Sequence, residues 1–141
     1  MAAPNFVFIR NMDGSNNPPA IAYVPVAASQ TLVVGDAVQL SSGQIIKGNN
    51  GFGSCTGVMA QASTTQAANT LVAVFVTKKS QLWNAVASAD ATNYILVSNA
   101  YDLTSGQTVN VADTTGGSIQ IFSLYGSTTS ILIQFTVNDL G

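Results

Sequence analysis

A chain of 141 residues and 14.5 kDa fits one domain, and folding at that size buries roughly two-thirds of the surface open in the unfolded chain, enough for a core without covalent staples. Only 7% of the residues are charged, against roughly 25% in an average globular protein. The acids are six aspartates, the bases are Arg10, Lys47, Lys78 and Lys79, and histidine and glutamate are absent, which argues against nucleic acid as a partner and removes histidine-based catalysis.

Neutral polarity replaces charge: 49 of the 141 residues are Ser, Thr, Asn or Gln. Such a surface is cheaper to desolvate than a charged one and protects less against self-association, so it suits a protein packed against others. The lone Cys55 excludes an internal disulfide. The start of the chain has no basic segment followed by a long apolar run, so no signal peptide is expected. The longest apolar stretch, Leu71 to Val76, is far short of a membrane span, so no membrane partner is expected.

All four prolines, Pro4, Pro18, Pro19 and Pro25, fall near the start of the chain, around the turn-rich stretch from Asn11 to Asn17. Residues 1–19 therefore read as an extended N-terminal arm carrying one short strand, Phe6 to Arg10, which lies either on its own domain or on a neighbour. Residues 20–141 read as a single β domain. Short β-rich runs alternate there with turn signals at the spacing of a sandwich or barrel. Strands are expected near 20–26, 31–34, 37–41, 44–47, 54–60, 70–77, 94–98, 107–112, 118–124 and 129–137. In the last, Ile131, Ile133, Phe135 and Val137 share one face. Turns are expected at Ser42-Gly43, Asn50-Gly51, Ser105-Gly106, Gly116-Gly117 and Gly126. From Lys79 to Asp90, Leu82, Val86 and Ala89 follow a helical spacing behind Ser80 as N-cap, which favours one short helix, the alternative being a loop that buries Trp83. The stretches from Leu32 to Leu40 and from Leu103 to Val111 echo each other and suggest two similar hairpins. The fold class expected is all-β: a small β-barrel or β-sandwich with at most one short helix.

No reactive centre assembles from these residues. Cys55 has no cation near it in sequence to form a thiolate and reads as a small core residue. Asp113-Thr114-Thr115-Gly116 lacks the spacing of an aspartic-protease loop, and Lys78 and Ser80 sit too close in sequence to face each other as a dyad. Asn11, Asp13, Ser15 and Asn17 alternate like the start of a calcium loop, but Ala22 stands where the closing glutamate belongs. Trp83, Tyr94, Tyr101 and Tyr125 are candidates for stacking on sugar, though aromatics in β domains more often fill the core. The expectation is a protein that is not an enzyme and carries no cofactor or metal.

From Val26 to Lys47, with Val34-Gly35-Asp36 ahead of an alternating strand, a glycine turn and a return strand, and then from Gly57 to Ala62, the sequence resembles the head decoration, or cement, proteins of tailed bacteriophages. The resemblance covers roughly a quarter to a third of the chain and rests on structural residues alone. It implies a small β-barrel or β-sandwich bound to the outside of an icosahedral shell, bridging neighbouring subunits of the major capsid protein against the pressure of packaged DNA. It implies a homo-oligomer as well, a trimer favoured over a dimer. The protein would be made in the host cytoplasm and located on the capsid exterior of the virion. A terminal arm often reaches adjacent subunits in that family, which makes Phe6, Phe8 and Arg10 the expected interface residues. The alternative is a carbohydrate- or receptor-binding β module displayed on a virion or cell surface.

Overall fold

The computed structural model describes residues 5–49, 51–96, 101–104 and 107–140. The protein is all-β, with several antiparallel sheets in a sandwich-like arrangement. Its strands are β1 (Val7–Asn11), β2 (Ile21–Pro25), β3 (Thr31–Leu32), β4 (Ala37–Ser41), β5 (Gln44–Lys47), β6 (Gly57–Met59), β7 (Ser63–Thr64), β8 (Leu71–Phe75), β9 (Gln81–Val86), β10 (Asp102–Leu103), β11 (Val109–Asn110), β12 (Ile119–Leu124) and β13 (Ser130–Phe135). The only helical element among the described residues is a 3-10 turn at Thr92–Tyr94.

One sheet has four strands in the order β1-β9-β13-β12, and a second has five in the order β2-β8-β6-β4-β5. Two-stranded ribbons, β3-β7 and β10-β11, complete the fold. Although β2 and β5 are the outer strands of the five-stranded sheet, Val26 just beyond β2 bridges Ile45 of β5. The sheet therefore curls until its two edges touch at one point.

Two cores result. The curl encloses Val24, Val26, Leu32, Val38, Ile45, Met59, Val72 and Val74, at least one from each of its five strands, with Leu32 contributed by β3. The outer face of the same sheet presents Ala37, Val58 and Phe75 to the four-stranded sheet, which answers with Trp83, Ala85, Ile121, Ile131, Ile133 and Phe135. Side chains alternate along a strand, so Val58 and Met59, neighbours in sequence, serve different cores. Tyr101, Leu103, Val109 and Val111, from the β10-β11 region, join the second core.

Two expectations change, and one alternative left open is decided. Residues 81–86 form a strand, not part of a helix. β9 lies between β1 and β13, and its main chain pairs with both, while Trp83 and Ala85 point into the core. Two waiting strand edges outweigh a weak helical propensity. Val86, on the proposed helical stripe, is instead 52% exposed.

Of the two places left open for the N-terminal strand, β1 takes its own domain: it pairs along β9, and Phe6 is 2% exposed. Pro18 and Pro19 follow the strand and leave it intact. Finally, Tyr94 belongs to the 3-10 turn and not to a strand; residues 97–98 of that expected strand, and the Ser105-Gly106 turn, lie outside the described residues.

The two echoing segments differ in their pairing. Leu32 and Leu103 are both fully buried, but β3 pairs with β7 whereas β10 pairs with β11. Their likeness is one of apolar anchors, not of topology.

Candidate interaction surface

The three interface residues expected from sequence separate once folded. Phe6 donates its N–H to Gly35 O at 2.9 Å and packs its ring on Phe135, centroids 5.4 Å apart. It serves the core of its own chain. Phe8 is half-buried and stands edge-on to Trp83, centroids 5.6 Å apart at 70°. Arg10 sits opposite Leu82, just past a bulge in β1, with no ion-pair partner among the described residues.

Beside Phe8 an apolar cleft of about 240 Å³ opens between β1 and the outer face of the five-stranded sheet. Val7, Phe8, Pro19, Val34, Phe75 and Trp83 are among the residues that line it, and none of the lining residues is charged. The cleft exists because the four-stranded sheet covers only part of the neighbouring sheet's outer face. Val7 and Val34, at 39% and 44% exposure, form its rim. Its volume falls below the ~300–1,000 Å³ of typical small-molecule pockets, so it suits a protruding apolar side chain.

The uncovered part of that outer face carries a second apolar feature. Ile21, Tyr23 and Pro25 alternate along β2 opposite Phe75, Ala73 and Leu71 of β8. Ile21, Tyr23 and Leu71 are 55%, 67% and 61% exposed, with Leu96 the most exposed large apolar side chains among the described residues.

The aspartates are occupied in holding turns and loops. Asp36 is fully buried, accepts hydrogen bonds from Asn5 Nδ2 and Val33 N, and has Lys47 Nζ at 3.6 Å. Asp102 accepts from the amides of Phe52 and Leu103, both at 2.8 Å. Burial pushes its pKa above the usual carboxylate value; those two hydrogen bonds oppose the shift and the charge of Asp113 adds to it. Asp139 accepts from Ser54 and Thr56, and Asp90 from Thr92. In the calcium-like loop, Asn11 Nδ2 donates to Ser15 and Asn17 while Asp13 accepts from Ser15 N, so those side chains tie the loop to itself. Among the described residues no three His, Cys, Asp or Glu side chains come together as a metal site.

Cys55 is fully buried, and desolvation raises its thiol pKa to about 12. Of the four sugar-stacking candidates, Trp83 and Tyr101 are core residues and half-buried Tyr94 stands edge-on to Tyr101. Only Tyr125 is exposed.

Sequence reasoning missed the cleft because its walls come from six separate stretches of chain. The one local signal was Val33-Val34, two apolar residues left at 50% and 44% exposure ahead of the Gly35 turn. Comparison with protein-family models, with curated proteins and with solved structures finds no match for this chain.

Proposed function

We propose that this chain is a structural, non-enzymatic protein of a virion that binds the outer surface of a bacteriophage capsid and cements neighbouring subunits of the major capsid protein. The observation supporting the reading is the uncharged apolar cleft rimmed by Val7 and Val34. Apolar surface left open on a protein with so little charge marks a place where another protein sits. A shell offers many identical docking points, so a modest contact at each becomes firm attachment when copies cluster. Nearby Arg10 adds a positive charge that would favour an acidic rim on the capsid side.

The test is co-sedimentation of the purified protein with capsid shells that lack it. Val34→Lys puts a charge on the cleft rim without entering either core and should reduce binding at least tenfold, which corresponds to ~1.4 kcal/mol. Undiminished binding by a folded Val34→Lys protein would rule out the cleft as the docking site. Failure of the unaltered protein to bind any shell would rule out the function.

A further inference from the structure

We infer that the open edge of β2, with the apolar stripe beside it, is the contact between two copies of this chain, made by antiparallel pairing of β2 with the second copy's β2. The hydrogen-bond direction of the strand leads there. Val26 donates to Thr70 O at 2.9 Å and Ala20 accepts from Val76 N–H at 2.8 Å. In an antiparallel ladder these bonds alternate, so Ala22 and Val24 also turn their main chain to β8, and Ile21 and Tyr23 turn theirs away. Past Pro25 the edge is closed by the Val26–Ile45 bridge. Before Ile21 it is interrupted by Pro18 and Pro19, which have no N–H to give. What stays open is a short, self-complementary stretch: about a two-fold axis beside Ala22, the N–H and C=O of each Ile21 meet those of the other copy's Tyr23.

The side chains agree with this occupant. Ile21, Tyr23 and Leu71 lie on one face, so pairing of the strands joins the two stripes into one. At these exposures they present roughly 400 Å² of apolar surface per copy, taking ~200 Å² for a large side chain fully open. With the main chain of two strands also covered, the pair reaches about 1,000 Å², the scale of a weak but specific contact. Neither strand stretch carries charge, so nothing repels a second copy. A two-fold contact closes on itself and stops at pairs, and the prolines keep the edge too short to template a longer sheet. The contact on β2 adjoins the cleft at Phe75, the register partner of Ile21, but leaves the rim at Val7 and Val34 free, so it does not depend on the capsid reading.

The experiment uses the unaltered protein. Amide hydrogen exchange at Ile21 and Tyr23 should be fast in dilute solution and slow at least several-fold as concentration rises through ~10 μM to 1 mM, in step with a rising sedimentation coefficient. Exchange at those amides that ignores concentration overturns the inference, as does a protein that sediments as a monomer throughout. Two variants sharpen the result. Ile21→Pro removes an outward N–H without touching the β8 ladder, and Tyr23→Lys places charge at the centre of the stripe. Both should sediment as monomers with the Trp83 fluorescence of the parent; pairing unchanged in either one, when folded, also overturns it. Shell binding by a monomeric protein would sink the pairing and keep the capsid function, whereas pairing without shell binding would do the reverse.

Discussion

The two cores of this protein are built from different materials. The space between the sheets is filled with rings: Phe6, Phe52, Trp83, Tyr101 and Phe135 are all buried there, with Phe8, Phe75 and Tyr94 at its margin. Trp83 and Phe135 stand edge to face, centroids 6.1 Å apart. The space inside the curled sheet holds no aromatic residue; valine, leucine, isoleucine and methionine fill it. Facing sheets lie ~10 Å apart, a gap that large side chains fill, whereas the tight curl is filled by aliphatic side chains without rings. Residue size follows the curvature of the surrounding sheet. The cores are nonetheless coupled, because β4, β6 and β8 form the wall between them and give alternate side chains to each.

That comparison can be broken from either side. The largest effect is expected at Gly117, where an added Cβ would fall 1.9 Å from Tyr101 O. Gly117→Ala should therefore force β10 away from β12 and cost at least ~4 kcal/mol, read as failure to give a cooperative denaturation curve. Next comes Trp83→Ala, expected to cost about 3–5 kcal/mol by removing the centre of the aromatic core. Loss of most near-ultraviolet circular dichroism from the aromatic side chains is the second readout.

Met59→Ala tests the curl and should cost about 2–4 kcal/mol. Since Trp83 is the only tryptophan, its fluorescence reports on the other core. In Met59→Ala the midpoint seen by fluorescence should still coincide with that seen by far-ultraviolet circular dichroism. Two separate transitions would show that the shared wall does not couple the cores.

A smaller loss, about 2 kcal/mol, is expected for Gln107→Ala. The Gln107 side chain joins the β10-β11 region to the five-stranded sheet, accepting from Ala37 N at 2.8 Å and donating to Gly48 O at 2.7 Å.

The smallest effect concerns pH. Because folding raises the pKa of Asp102, its contribution to stability is fully present below the ordinary aspartate value near 3.8 and declines as pH rises through the folded value. Asp102→Asn, which keeps an oxygen for Phe52 N and Leu103 N, should remove that decline. Thermal melts of both proteins across this window check the sign; an unchanged pH dependence would refute the role.

The parts of the fold legible in sequence were those in which alternation and turn chemistry agree. β4 and β5, joined at Ser42-Gly43 with φ of 52° and 80°, occupy the residues expected from the pattern, and β13 lies within its expected range. β9 was not legible, because residues 81–86 become a strand only between two partners distant in sequence. For the surface, Phe8 could be reached from sequence as a member of an apolar segment near the start. Nothing local distinguished it from Phe6, whose burial depends on Gly35 and Phe135.

The placing of β1 and β13 on either side of β9 has a mechanical consequence. Both run antiparallel to β9 and so parallel to each other, which sets the start of β1 and the end of β13 at opposite ends of the sheet. Tension applied between Val7 and Phe135 thus pulls along the strands and strains the rungs of both ladders together instead of peeling them one by one. A tether held at both ends would be strongest in the direction in which it is stretched.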